Sequence, residues 1–397
     1  MIFRDILIVY RFMTEWKTYR LKDVTSILGD GLHGTPVYDE NGDVFFINGN
    51  NLENGHINIK SNTKRVSTEE AAKYRKPLND RTILVSINGT IGNVGKYNNE
   101  NCILGKSACY FNVAEDFDYD FIYYVIANDI FKNTISRLAT GTTIKNVSLE
   151  TMRNYTFCAP DITTQRRISK ILGAIDDKIE NNRRINTNLE LQAQALFDEW
   201  FVNDSTQPAE YNRASLTDIA NYLNGLAMQR FRPQSNEKAI PVLKIKELGQ
   251  GMCDSSSDIC SQSIDSKYIV NDGDIIFSWS GTLLVDIWCG GICGLNQHLF
   301  KVTSDKYPKW FVYYWTKYHL AKFIRIAKDK AVTMGHIKRG DLETSVVLIP
   351  NAEILSKMDN IIAPIFDAII SRRVENKTLA TLRDTLLPKL MNGEIKL

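Results

Sequence analysis

One stretch of the chain, residues 165–201, has the pattern of a long helix that needs a partner. It contains no proline, and its apolar residues recur at alternating steps of three and four, the spacing of a coiled-coil seam. The predicted seam residues are Ile168, Leu172, Ile175, Ile179, Asn182, Asn186, Leu189, Ala193, Leu196 and Trp200. The two central positions are asparagines, and a polar seam residue lowers stability but specifies register and partner. The narrow seam favours a paired helix over an amphipathic helix on a globular core, the alternative that the pattern leaves open.

A second seam, in residues 354–391, provides a partner within the same chain. Its predicted positions are Met358, Ile361, Ile365, Ala368, Leu379, Leu382 and Leu386, and its centre is also polar, at Arg372 and Glu375. We therefore predict that the two helices pair. The pairing residues are predicted to be Leu172, Ile175, Ile179, Asn182, Asn186 and Leu189 on the first helix and Ile361, Ile365, Leu379 and Leu386 on the second.

The two seams belong to a repeat that covers the whole chain. Similar segments recur in the same order at offsets of 190 to 193 residues, among them LVSINGTI at residue 84 and IFSWSGTL at residue 276. Strand-like runs alternate with turns, and residues 120–138 read as one helix. We predict a mixed α/β (α+β) protein built by tandem duplication, with two globular units that are each followed by a long helix. The predicted domain limits are 1–164, 165–201, 202–350 and 351–397.

Composition indicates an intracellular globular protein. The chain has 397 residues with 44% hydrophobic residues, and it has no apolar run of the roughly 18 residues that span a membrane. Seven cysteines without disulfide-like spacing favour a reducing cytoplasm. Cys289, Cys293 and His298 lie near one another, but a zinc site needs a better-spaced set of ligands. The sequence from Met13 onwards is typical of the N-terminus of a protein, so we expect residues 1–12 to be an upstream extension of the reading frame.

No catalytic motif is apparent. Gly105-Lys-Ser resembles the end of a phosphate-binding loop, but Glu100 stands where the first glycine is required. The sequence contains no GxGxxG, HExxH or GxSxG, and the five histidines show no paired spacing. These observations predict a protein that binds rather than catalyses and that holds no cofactor or metal of its own.

Two local basic clusters indicate contacts with DNA. The net charge is only +2, so phosphate contacts must come from such clusters or be shared with a basic partner. Loops rich in Gly, Ser, Thr and Asn accompany the clusters and can present short polar groups to base edges. The candidate DNA-binding residues are Lys64, Arg65, Arg75, Lys76, Ser86, Asn88 and Thr143 in the first unit and Arg230, Arg232, Ser278, Ser280, Lys330, Thr333, His336 and Lys338 in the second. The alternatives are solvated surface for the basic residues and structural turns for the two Ser-x-x-Gly-Thr segments.

The chain resembles the specificity (S) subunits of Type I restriction–modification systems along nearly its whole length. The resemblance is carried by the two variable units with similar helices and by local text: QRRI at 165, IDDKIENNR at 175, LFDEWF at 196, NGLAM at 224, LNQH at 295 and LLPKLMNGEI at 386.

The resemblance implies that each globular unit is a target recognition domain for one half of a bipartite site in double-stranded DNA. It also implies that the two helices form an antiparallel coiled coil that acts as a spacer. Two methyltransferase (M) subunits would bring S-adenosylmethionine, and restriction (R) subunits would bring ATP and Mg²⁺. The alternatives are the specificity half of a fused methyltransferase–endonuclease system and a stand-alone DNA-modifying enzyme.

Overall fold

A computed structural model describes residues 16–141, 144–203, 211–329 and 335–397. The chain divides into two compact units, Met1–Asp176 with Thr381–Leu397, and Asp177–Ala380. The division falls within both long helices, so each unit contains a segment of each. No helix in the described part of the chain is long and apolar enough to cross a membrane.

The first unit is built around a six-stranded sheet. Its central strands are fully buried, as the apolar runs at residues 83–85 and 108–111 require. The strands of this unit are β1 (Lys17–Arg20), β2 (Thr25–Asp30), β3 (Val44–Ile47), β4 (Leu52–Glu53), β5 (Gly55–Ile57), β6 (Arg65–Val66), β7 (Thr82–Ser86), β8 (Val94–Lys96), β9 (Cys102–Leu104), β10 (Ala108–Val113) and β11 (Thr156–Ala159). The large sheet has the order β2-β10-β7-β8-β5-β4, and β6-β3-β9 and β1-β11 form smaller sheets.

The helices of the first unit differ from the predicted ones between residues 120 and 138. They are α1 (Thr68–Ala72), α2 (Tyr119–Ala127), α3 (Asp129–Leu138), α4 (Leu149–Asn154) and the start of α5 (Ile162–Phe201). The single helix predicted for residues 120–138 is therefore two. Asn128 separates them in an extended conformation, and its side chain accepts a hydrogen bond from the backbone N–H of Phe131 at 2.9 Å. An asparagine that caps a new helix in this way competes with continuation of the preceding one.

The second unit repeats this arrangement. Its strands are β12 (Asn212–Ser215), β13 (Asn221–Asn224), β14 (Ala239–Leu243), β15 (Ile259–Ser261), β16 (Ile269–Val270), β17 (Ile275–Ser278), β18 (Leu284–Ile287), β19 (Cys293–Leu295), β20 (Leu299–Thr303) and β21 (Val346–Ile349). Its helices are α6 (Leu216–Ile219), α7 (Ile245–Gln250), α8 (Lys309–Tyr318), α9 (Leu320–Asp329), α10 (Arg339–Glu343) and most of α11 (Ala352–Met391). The sheet orders are β13-β20-β17-β18, β15-β14-β19-β16 and β12-β21.

The hydrogen-bond ladders confirm the tandem duplication. The order β2-β10-β7-β8 in the first unit corresponds to β13-β20-β17-β18 in the second, and the parallel pair β3·β9 corresponds to β14·β19. The antiparallel pairs β1·β11 and β12·β21 correspond in the same way. Most of the aromatic helix α8 lies in the core, because residues 310–316 are all buried, and Tyr318 at its end is exposed.

The long helices α5 and α11 each have 40 residues and pair antiparallel. In the second unit Asn182 contacts Asn376 and Asn186 contacts Ile369, so the residue numbers rise on one helix and fall on the other. In the first unit, Asp176 bonds Arg383, and both helices contribute apolar residues to one core: Ile168, Leu172, Leu387 and Leu390.

Met358 is buried as predicted, but from Ile361 onwards the predicted frame of the second helix is one residue too early. Ile361 is 49% exposed and Leu382 is 46% exposed, so Ile361 is wrong as a pairing residue. The buried positions are Met358, Ile362, Phe366, Ile369, Leu387 and Leu390. Ile365 and Leu386 pack only at the margin of the cores, and Leu379 is half-buried. A shift of one residue turns a helix by about 100°, which moves a side chain off the contact line. Leu386-Leu387 and Ile361-Ile362 are adjacent apolar pairs, so the sequence pattern accommodates either frame.

The first helix follows its predicted frame until its last two turns. Leu172, Ile179, Asn182 and Asn186 are buried, whereas Ile175 and Leu189 are half-buried. Near the end, Phe197 and Phe201 are buried and the predicted Leu196 and Trp200 are only partly so. The contact line drifts because a straight helix has 3.6 residues per turn rather than 3.5, and this part of the helix packs on a globular core.

Candidate DNA-reading surfaces

The basic residues predicted in the first unit lie around the small sheet β6-β3-β9. Lys64 and Arg65 are exposed, and their charged groups lie over the rings of Tyr38 and Phe45, at 5.8 and 4.7 Å from the ring centroids. Arg75 is exposed and donates to the side chain of Asn101 at 2.9 Å, and Lys76 is half-buried. Cations stacked on exposed rings keep their outer face available for phosphate oxygens.

Two predicted residues are structural. Ser86 and Ser278 are fully buried at equivalent strand ends. The Ser86 hydroxyl accepts from the backbone N–H of Asn93 at 2.8 Å, and the Ser278 hydroxyl contacts the carbonyl oxygens of Ser280 and Thr282 at 3.2 and 2.8 Å. Buried hydroxyls with these partners hold the following turns, so the prediction that they contact DNA is wrong.

The turn after β7 gathers polar side chains at one end of the large sheet of the first unit. Asn88 pairs with Asn146 through a backbone bridge, and its side-chain amide donates to the Asn146 Oδ1 at 3.2 Å. The Asp30 carboxylate bonds the ring Nε2 of His33 at 2.7 Å. The exposed Lys106 lies beside them, and Asp30, His33, Lys106, Asn146 and the buried Ile87 line an open depression of about 410 Å³. We call this surface the first sheet-end face: Asp30, Ile87, Asn88, Lys106, Ser107 and Asn146.

The corresponding surface of the second unit is aromatic. The half-buried Trp279 ring lies 6.1 Å from the His298 ring and 6.4 Å from the His336 ring, and its indole N–H donates to the side chain of Asn224 at 3.0 Å. Ser280 is 4% exposed, and its hydroxyl bonds Nδ1 of His298 at 3.0 Å. The predicted Ser280 therefore orients a histidine rather than reaching a base. We call this surface the second sheet-end face: Asn224, Trp279, Ser280, Gln297, His298 and His336.

Three other residues predicted in the second unit, Arg230, Arg232 and Lys338, are exposed. Arg230 ends a short 3-10 turn, Met228–Arg230, and both it and Arg232 are exposed. Lys338 is exposed at the start of α10, where its backbone N–H donates to Asp341. Thr143, Lys330 and Thr333 lie outside the described residues.

The polar centre of the helix pair includes the predicted Glu375, together with Asn376 and Arg373, which are next to the predicted positions on α11. Asn182 donates to Glu375 at 2.7 Å and to Asn376 at 2.9 Å, and Asn376 donates to the carbonyl oxygen of Ile179 at 3.2 Å. Arg373, not the predicted Arg372, donates across to Glu190 at 2.8 Å. Its guanidinium also bonds Asp286 of β18 at 2.8 Å, which ties α11 to the sheet of the second unit.

Three buried cysteines are unreactive thiols. Burial raises the pKa of Cys102 to about 12 and the pKa of Cys260 and Cys289 to about 11, so these thiols stay protonated at neutral pH. Among the described residues, no group of three or more His, Cys, Asp or Glu side chains could hold a metal ion. The surfaces described above present hydrogen-bond donors, acceptors and rings, the groups that bind base edges and phosphates.

Most of the sheet-end residues were not predicted from the sequence. Asp30, Ile87, Lys106, Ser107 and Asn146 in the first unit and Asn224, Trp279, Gln297 and His298 in the second are brought together only by the ladders. The sequence signal that could have found them is the repeat itself, because LVSINGTI aligns with IFSWSGTL and its variable positions include the partly exposed Asn88 and Trp279.

Comparisons with known proteins identify the family. The family model described as "Type I restriction modification DNA specificity domain" matches residues 13–191 and 208–383. The MjaIX Type I restriction enzyme specificity subunit of Methanocaldococcus jannaschii is 26% identical over 412 residues, covering 96% of this chain and 94% of the relative. The HindI specificity subunit of Haemophilus influenzae is 21% identical over 329 residues, covering 64% of this chain and 72% of that one.

A solved structure has the same fold. The crystal structure of the Type-I restriction-modification system S subunit from M. genitalium aligns with a TM-score of 0.59 at 16% identity, covering 95% of this chain and 96% of that one. The two family matches take in most of the chain, one for each structural repeat. The chain therefore belongs to the Type I restriction–modification DNA specificity family, the non-catalytic components of these systems that recognise DNA sequence.

Proposed function

We propose that this chain reads one bipartite site in double-stranded DNA, with one half-site for each unit. The observation that carries the proposal is the repeat of one scaffold with different surface chemistry. The central strands of the two units correspond, β2-β10-β7-β8 with β13-β20-β17-β18, whereas their sheet-end faces differ in charge and aromatic content. Two copies of a binding device with different contacts suit a site whose two halves have different sequences.

The chain would act within a larger assembly. Two methyltransferase subunits would supply S-adenosylmethionine and adenine methylation, and restriction subunits would supply ATP and Mg²⁺. The net charge of +2 supports this division, because a protein that holds DNA alone through phosphate contacts is usually much more basic. The paired helices α5 and α11 would set the distance between the half-sites, and the assembly would work in the cytoplasm, where the DNA lies.

Co-expression tests this function directly. The full chain is produced together with the methyltransferase encoded next to it, and methylated adenines are mapped across the genome of a host that lacks other adenine methylation. We expect a single motif of two short specified parts separated by unspecified bases. Methylation at an uninterrupted motif would contradict the proposal, as would methylation by the purified chain without its partner.

A further inference from the structure

The two sheet-end faces are built on one backbone framework. Asp30 and Asn224 occupy the same ladder position, opposite Cys109 and Phe300. The bridge Asn88·Asn146 corresponds to Ser280·His336, and the bridge Leu32·Gly105 corresponds to Leu226·Asn296. These matches make the following pairs equivalent: Asp30 and Asn224, Ile87 and Trp279, Asn88 and Ser280, Lys106 and Gln297, Ser107 and His298, Asn146 and His336.

The backbone under each face has the same conformation because close strand contacts and a tight turn restrict it in both units. Gly31 and Gly225 lie so close to the neighbouring strand that an added Cβ would meet a carbonyl oxygen at 2.2 Å in both units. Gly89 and Gly281 both have a positive φ, +73° and +65°, in the turn that Ser86 and Ser278 hold. These two glycine pairs and the serine pair are thus the same in both units, and the residues that differ include the exposed or half-buried Lys106, Gln297, Trp279 and His336.

The differing residues are rich in groups that recognise bases. The first face presents an ammonium group at Lys106 and the amide pair Asn88–Asn146, with the carboxylate of Asp30 held by His33. The second presents the amide of Gln297, the indole of Trp279 and two imidazoles. His33, His298 and His336, three of the five histidines of the chain, lie at these two equivalent places. A surface that contacts only solvent would not require these polar and aromatic groups to lie together at one end of each sheet.

We propose that the two sheet-end faces contact the base edges and that the equivalent pairs of side chains distinguish the two half-sites. This inference rests on the proposed function and adds the residues that carry specificity. Lys106 donates to the O6 and N7 acceptors of a guanine, and its counterpart Gln297 pairs with the N6 and N7 groups of an adenine. Ser280 is a positioning residue that orients the His298 ring, and the basic residues Lys64, Arg65 and Arg75 contact phosphates.

A reciprocal exchange tests the proposal. Lys106→Gln and Gln297→Lys are made separately in the full chain, and each is assembled with the partner methyltransferase. Lys22→Gln, an exposed lysine of the first unit outside the face, is the control. Methylation rates are measured on duplexes in which each position of the site is changed in turn. We expect each variant to lose about 5- to 150-fold discrimination at one position of one half-site, with the other half-site unchanged.

Two further variants keep the test decisive. Trp279→Ile and His298→Ser install first-unit residues in the second face, and thermal unfolding shows whether each variant is folded. We expect a changed preference in the second half-site only. The proposal is overturned if the folded variants keep the wild-type preference at every position, or if they slow methylation of all sequences equally, as lost phosphate contacts would. A wild-type complex without a bipartite motif would instead refute the proposed function.

Discussion

The two units share the central part of their strand ladders, but they hold their segments of the helix pair by different sets of contacts. In the first unit, Ile168 and Leu172 share a core with Leu387 and Leu390, and Arg383 bonds Asp176. In the second unit, Phe197 and Phe366 share a core, and a buried polar layer of Asn182, Asn186 and Asn376 accompanies it. Apolar burial contributes most of the stability of a contact, whereas buried polar residues specify register. The comparison indicates that apolar contacts stabilise the helix pair in both units, and that the buried asparagines of the second unit align it.

The largest effect should come from the apolar contact. Leu172→Ala removes a fully buried side chain from the core of the first unit. We expect a loss of about 2–5 kcal/mol in the free energy of unfolding of that unit, because the deletion leaves a cavity. Urea unfolding measures it, and Leu191→Ala, at a side chain 65% exposed on the same helix, is the control. Comparable losses for both variants would show that the apolar contact is not the main anchor.

A smaller effect should distinguish two arginines of α11 that each pair with an acidic residue of α5. Arg373→Met leaves Glu190 and Asp286 without their shared cation, and we expect a loss of about 1–3 kcal/mol in the second unit. Arg383→Met removes the cation beside Asp176 in the first unit, but the Tyr124 hydroxyl still donates to that carboxylate at 2.7 Å. The Arg383 variant should therefore lose less. Equal losses in urea unfolding would mean that the tyrosine contributes nothing.

The smallest effect should come from the single residue between two consecutive helices, α2 and α3 in the first unit and α8 and α9 in the second. Asn128 caps α3 in the first unit, whereas the buried His319 follows α8 in the second and bonds the carbonyl oxygen of Val346. Burial lowers the pKa of His319 below its ordinary value of 6.5, so the unfolded chain binds the proton more tightly. The stability of the second unit should thus decline as the pH falls through 6.5 towards the lowered native pKa. His319→Asn should flatten that decline in unfolding measured from pH 8 to 5, and an unchanged slope would assign it to other groups.

The sequence predicted those features that depend on local periodicity. The spacing of Leu172 and Ile179 shows a long helix with a buried line, and the offset segments show that the architecture occurs twice. The frame of α11 could not be chosen this way, because Ile361-Ile362 and Leu386-Leu387 are adjacent apolar pairs that satisfy both frames. Only packing, which buries Ile362 and Leu387, selects one of them.

The candidate site was predicted less completely, and the errors have a common cause. Ser86 and Ser278 have the residue type that suits base contacts, but their side chains point into the sheet and hold the turn. Lys106 and Asp30 are far apart along the chain, and they meet because β2 and β10 pair with Asp30 opposite Cys109. Residue type shows which hydrogen bonds a side chain can make, but strand register decides which side chains share a surface.

The sequence by itself determined the family, the duplication and the paired helices of this protein, because each depends on order and periodicity along the chain. The tertiary structure alone decided which residues stand together at the end of each sheet, and which arginine and which isoleucine of α11 face their partners. These depend on cross-strand register and on helix rotation. A shift of one residue in strand register turns a side chain to the other face of the sheet, and a shift of one residue along a helix rotates its direction by about 100°.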